Sequence, residues 1–159
     1  RDGQNSGDRN MARENFIQRM NAHAQELKLF QMEFFNESGL DLEGKTRNGG
    51  YGSAREVAVL ISTLWRNEPE VIEVTAENET HIMSQDSIDH GLINTNEITG
   101  RIPGLITSKT GYTDLSGGNL AVIFDIGINH PVVAVVLGAS HKGRFDDMVK
   151  IVSAVLARE

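Results

Sequence analysis

Gly104-Leu105-Ile106-Thr107-Ser108-Lys109-Thr110-Gly111-Tyr112-Thr113 is a proline-free run rich in β-branched and aromatic residues, and it is followed by a glycine turn at Ser116-Gly117-Gly118. That combination predicts a strand near 104–113. Two further apolar runs follow, near 119–127 and 131–139, with Gly127-Ile128-Asn129-His130-Pro131 marking the reversal between them. Ala134-Val135-Val136-Leu137 is apolar throughout and suits a strand buried on both faces. Phe145, Met148, Val149, Val152 and Val155 then recur at helical spacing as the inner stripe of a closing helix. Three sequential strands and a helix imply an antiparallel meander backed by helices, an α+β architecture. Within the first strand the residue types divide the work. Lys109 supplies a fixed positive charge and Thr110 a hydroxyl, and Gly111 lacks the Cβ that would hold another chain away from the backbone.

Working upstream, Ser53-x-x-Glu56 is a capping box that opens a helix running to about Arg66, with Val57, Leu60, Ile61 and Leu64 turned inward. Pro69 fits the first turn of a short further helix. The glycine-rich segment 36–51 reads as a long loop, and Met32 to Phe34 as a short strand. Phe16, Ile17, Met20, Ala24 and Leu27 lie on one face of a helix that Asn10 can cap at Met11. Residues 1–10 are polar and glycine-containing, and read as a flexible segment ahead of a unit spanning 11–159. Between Val74 and Ile98 the pattern weakens into short β-like pieces among polar residues.

The 159 residues suffice for one domain with a real core and are too few for two ordinary ones. Hydrophobic residues at 39% and charged residues at 23% are those of a soluble globular protein. A net charge of −7 with scattered basic residues argues against a nucleic-acid partner, which needs clustered Lys and Arg. The absence of cysteine excludes disulfides and thiolate metal sites within the chain. The five histidines show no metal-binding spacing and read as surface or loop residues.

Five separated motifs, in order, resemble the D-alanyl-D-alanine carboxypeptidases, the low-molecular-mass penicillin-binding proteins. Asn36-Glu37-Ser38-Gly39-Leu40 is similar to the family's Asn-Pro-x-Gly-Leu loop, and Tyr51-Gly52-Ser53-Ala54-Arg55-Glu56-Val57-Ala58 to its helix start. Asn94-Thr95-Asn96 precedes the key strand, and Gly104 to Thr113 follows the strand's own pattern, with Ser108 in place of a small hydrophobic residue. Val135-Val136-Leu137-Gly138-Ala139 and Lys142-Gly143-Arg144 match the last strand and the start of the final helix. Lys-Thr-Gly is one of three signature elements of active-site serine enzymes of this kind.

The resemblance implies a β-lactamase/transpeptidase-like fold and a serine-type carboxypeptidase that trims peptidoglycan stem peptides ending in D-Ala-D-Ala, with β-lactams as inhibitors. It implies an extracytoplasmic location in a bacterial envelope, and no metal or organic cofactor. It places Lys109 in proton transfer and in the field that favours the substrate carboxylate, and the backbone N–H of Tyr112 in the oxyanion hole. Thr110, Gly111, Thr113 and Arg144 join Lys109 in substrate binding. Thr110 and Thr113 are three apart and share one site only where the strand twists or bulges. The other two signature elements are missing: no serine is followed at the third position by lysine, and no Ser-x-Asn occurs. The expectation is the C-terminal part of a catalytic domain, with nucleophile and base upstream of Arg1 and no acylation by the chain alone. A β-lactamase, or a non-catalytic domain that recognises peptidoglycan or penicillin, are the rival readings. The Tyr-Thr after Lys-Thr-Gly favours the peptidase over the former.

Overall fold

A computed structural model describes residues 2–42 and 46–158, with side chains from residue 7 onward. The backbone divides into two compact units, Arg1–Glu56 with Thr113–Leu115, and Val57–Tyr112 with Ser116–Glu159.

The first unit holds helix α1 (Asp2–Glu26) and the small hairpin of β1 (Glu33–Phe34) and β2 (Gly50–Tyr51). The helix begins at Asp2, so the reading of residues 1–10 as a flexible segment capped at Asn10 is corrected: nine of them extend α1. Of the expected inner face, Ala24 is buried and Met20 and Leu27 are half-buried, whereas Phe16 is 52% exposed. The amide of Asn21 binds both backbone groups of Phe34, accepting from its N–H and donating to its carbonyl at 2.8 Å each, and so ties β1 to α1. The loop 36–51 is turned by buried Asn36, whose Oδ1 accepts from the N–H groups of Ser38 and Gly39. Residues 43–45 of that loop lie outside the described residues.

Helix α2 (Ala54–Asn67) starts at the capping box read from the sequence: Glu56 N–H donates to Ser53 Oγ and Ser53 N–H to Glu56 Oε2, both at 3.3 Å. Burial pushes the Glu56 carboxyl up. The donors from Gln31 N–H, Ser53 N–H and the Ser53 hydroxyl outweigh it and hold the group below the ordinary carboxylate value.

In the second unit a short helix, α3 (Pro69–Ile72), carries Pro69 in its first turn and passes into a 3₁₀ turn at Glu73–Ala76. A two-stranded hairpin of β3 (Glu79–Met83) and β4 (Asp89–Ile93) follows. The main sheet runs in the order β5 (Leu105–Thr113), β6 (Gly117–Asp125), β7 (Pro131–Ala139), and α4 (Gly143–Leu156) closes the chain. Side-chain alternation gives the sheet two packed faces. Leu120, Val122, Phe124 and Ala134 meet Phe145, Met148 and Val152 of α4, while Ala121 and Ile123 meet Ile61 of α2. The strand buried on both faces is therefore β6, at the centre. The apolar stretch of β7 is corrected to a flanking strand, with Leu137 exposed. Gly104 holds the entry to β5 at φ +65°, where a Cβ would sit 2.5 Å from the carbonyl oxygen of Asp125.

Candidate active site

The outer edge of β5 is buttressed by Thr75. Its Oγ1 accepts the Ser108 N–H at 2.9 Å and lies 2.8 Å from Thr107 Oγ1, and its carbonyl accepts the Ser108 hydroxyl at 2.9 Å. The same carbonyl accepts Asn94 Nδ2 at 2.8 Å, which fixes the segment following β4. Thr107 and Ser108 are buried, so these bonds satisfy groups with no access to water. Thr75→Val keeps the shape but orphans the Ser108 N–H. We expect it to lower unfolding stability by about 1–3 kcal/mol, read from the denaturant midpoint.

Just beyond this support the strand opens onto a cleft of about 580 Å³ lined by Lys109, Thr110, Gly111, Tyr112 and Arg144 together with Asn94, Thr95, Glu97 and His141. Four of the residues singled out on β5, and Arg144 from α4, thus meet in one place. The chain path explains it. Three sequential passes bring the end of β7 back to the end of the sheet where β5 finishes, and Arg144 follows within one turn of α4. Its Nη1 donates to the Gly111 carbonyl at 2.9 Å, and the guanidinium lies over the Phe145 ring at 4.6 Å. Arg144 is 5% exposed, and its buried Nε–H has no acceptor among the described residues. Thr113 is half-buried at the end of the strand and belongs to the other unit.

Lys109 is exposed and its Nζ reaches back to the Thr110 carbonyl. The Thr110 hydroxyl lies 2.7 Å from that of Thr95. Tyr112 stacks edge-on with His141 at 4.7 Å between centroids. A Cβ at Gly111 would meet nothing closer than Asn119 Cβ at 3.8 Å, so packing inside the chain does not require glycine there. The cleft carries two basic side chains against one carboxylate, in a chain of net charge −7. It therefore favours an anionic group. Among the described residues no cluster of three metal-ligating side chains occurs.

Sequence reading missed Thr95, Glu97 and His141 as lining residues. Asn94-Thr95-Asn96 stands out as a motif, but nothing in it signals that Thr95 meets Thr110. The sequence marks His141 only as a surface residue, and its contact with Tyr112 spans 29 positions. Behind Lys109 a second cavity of about 360 Å³ lies between α2 and the sheet, lined mainly by Val57, Ile61, Ile72, Ala121 and Leu137.

This sheet, with helices on both faces and a cationic cleft at the end of β5, is the fold of the penicillin-binding, transpeptidase-type proteins. Penicillin-binding protein D2 of Listeria monocytogenes, solved with ampicillin bound, superimposes with a TM-score of 0.74 at 28% identity, over 91% of this chain and 56% of that one. A D-alanyl-D-alanine carboxypeptidase structure from Mycobacterium tuberculosis gives 0.73 at 22% identity, covering 91% and 54% of the respective chains, and supports the fold. Residues 10–141 match the D-alanyl-D-alanine carboxypeptidase family, and the chain belongs to it. D-alanyl-D-alanine carboxypeptidase DacF of Bacillus subtilis is 33% identical over 127 residues, which are 80% of this chain and 31% of the relative. DacA of Escherichia coli is 29% identical over 139 residues, 87% of this chain and 32% of the relative. The chain thus spans about a third of the length of these relatives.

Proposed function

We propose that this chain supplies the Lys-Thr-Gly wall and the carboxylate-binding end of the active site in a serine-type D-Ala-D-Ala carboxypeptidase acting on peptidoglycan stem peptides. The observation that carries this reading is the convergence of Lys109, the Thr110 hydroxyl and the buried Arg144 guanidinium on one cleft at an open strand end. A peptide with a free terminal carboxylate matches that cleft. Its main chain lies antiparallel to β5 as an added strand, and its carboxylate meets Thr110, Arg144 and the field of Lys109. The Ser108 N–H faces the outer edge, towards Thr75, and strand alternation turns the N–H of Tyr112 to that edge as well.

The nucleophilic serine and a lysine one helical turn after it come from a Ser-x-x-Lys segment outside these 159 residues, since none of their serines has lysine at the third following position. The serine Oγ attacks the carbonyl of the penultimate D-Ala and its proton passes to the lysine amine. The Tyr112 N–H and the serine's own N–H hold the oxyanion, an interaction worth about 3–4 kcal/mol per donor. The C–N bond then breaks, D-Ala leaves with the proton on its amine, and water hydrolyses the ester. β-Lactams enter the same cleft as mimics of D-Ala-D-Ala and stop at the acyl stage. The enzyme acts on the extracytoplasmic face of a bacterial membrane, where this substrate lies. No described helix of this chain is long and apolar enough to cross a membrane.

The test is release of D-alanine from a D-Ala-D-Ala pentapeptide by the full-length gene product, with covalent labelling by a fluorescent penicillin followed through denaturing electrophoresis. The full-length product should do both. The 159-residue chain alone should take no covalent label, and a labelled serine within it would refute the assignment of the nucleophile elsewhere. A full-length product that releases no D-alanine overturns the carboxypeptidase reading.

A further inference from the structure

Thr95 and Thr110 are 15 positions apart, yet their hydroxyl oxygens stand 2.7 Å from each other on the wall of the cleft. Both are held by rigid neighbours. On the Thr95 side, Asn94 N–H donates to the Asn78 carbonyl at 2.8 Å, and Asn94 Nδ2 donates to the carbonyls of Thr75 and Glu77, each at 2.8 Å. Asn96 N–H returns to Asn94 Oδ1 at 2.9 Å, and Asn96, 2% exposed, accepts the Ile98 N–H. The residues before and after Thr95 are therefore pinned, while its own side chain faces the cleft. On the Thr110 side, Ser108 two residues earlier is bound to Thr75 through both backbone N–H and side chain. Thr75 thus anchors both partners of the hydroxyl pair.

We propose that Thr95 is a positioning residue for the terminal carboxylate of the substrate, acting through Thr110. The inference rests on the carboxypeptidase reading above. A hydroxyl has one proton and two acceptor sites. The pair has two arrangements. If Thr110 donates to Thr95, its proton is spent and lone pairs face the incoming carboxylate. If Thr95 donates to Thr110, the proton of Thr110 is free to donate into the cleft. An anionic oxygen selects the second arrangement, and the chain Thr95 to Thr110 to carboxylate is polarised in one direction, which strengthens its last bond. The contact with Thr95 also fixes where the Thr110 hydroxyl oxygen sits. The position of that oxygen is thus set before substrate arrives, and the carboxylate selects only the direction of the proton.

Thr95→Val removes the donor and keeps the shape, and Thr95→Ser restores the donor. In the full-length gene product, Thr95→Val should raise KM for a peptide ending in free D-Ala-D-Ala by roughly fivefold to tenfold with kcat little changed, the pattern of binding lost equally from ground and transition states. An amide-capped D-Ala-D-Ala peptide should be handled alike by wild type and variant, and Thr95→Ser should restore KM on the free acid. In a Thr110→Val background, Thr95→Val should cost nothing further. Additive losses in that cycle, equal losses on both peptides, or no rescue by serine would overturn the role of Thr95 while the wild type remains active on the free acid. A wild-type product inert on both peptides would overturn the carboxypeptidase reading and this role with it.

Discussion

Replacing Lys109 by alanine in the full-length gene product is expected to lower kcat/KM for a D-Ala-D-Ala peptide by roughly 10²–10⁴-fold, the range of a group engaged in proton transfer. Lys109 is exposed on β5 and makes no salt bridge among the described residues, so its removal should leave the unfolding midpoint near that of wild type. That separation gives the experiment its power. A large loss of turnover with unchanged stability assigns the lysine to chemistry. It also excludes the plain alternative of an edge-strand charge that discourages aggregation. Lys109→Arg keeps the positive charge but not the compact ammonium, and guanidinium does not give up a proton in proteins. It should recover substrate binding better than turnover. Penicillin acylation should slow in parallel, because on the proposed reading β-lactams enter the same cleft. Wild-type turnover in the alanine variant would remove Lys109 from the mechanism.

The parts of this fold that the sequence announced are those with local punctuation. Gly127 and Pro131 bracket the β6–β7 reversal, Ser53 and Glu56 mark a helix start that the structure reproduces bond for bond, and the Phe145 to Val152 spacing defines the buried stripe of α4. The failures have equally physical causes. Residues 2–10 lack an apolar stripe, so nothing in them signals helix, yet extending a formed helix adds one bond per residue and needs no new nucleus. The β3–β4 hairpin exposes Ile82, Met83, Leu92 and Ile93, so no alternation of buried and exposed residues betrays it. β7 reads as a doubly buried strand because its composition is apolar, but strand order puts β6 in that position. The site divides the same way. Lys109 to Tyr112 are contiguous and legible as a motif. Thr75, Thr95 and His141 join them only through tertiary contacts, which leave no periodic trace.

Arg144 is where sequence and structure together make the sharpest demand. At the first turn of α4 a cation opposes the helix dipole, and burying a guanidinium adds a desolvation cost. One bond to the Gly111 carbonyl and a ring beneath it offset part of that cost, and the Nε–H has no acceptor among the described residues. On the reading proposed above, a terminal carboxylate brought along β5 meets this guanidinium where Arg144 lines the cleft. Arg144→Ala should therefore weaken the enzyme by about 2–3 kcal/mol on peptides with a free terminal carboxylate, some 30- to 150-fold in kcat/KM. Loss of the bond to Gly111 affects any substrate alike, so the informative quantity is the ratio between the free acid and its amide-capped analogue. That ratio should collapse in Arg144→Ala and recover only in part in Arg144→Lys, which restores charge without the planar fork. Equal losses on both peptides would leave Arg144 as a support for the Gly111 carbonyl and nothing more. A fall in the unfolding midpoint does not blur the result, because instability scales both rates together while a carboxylate contact scales one.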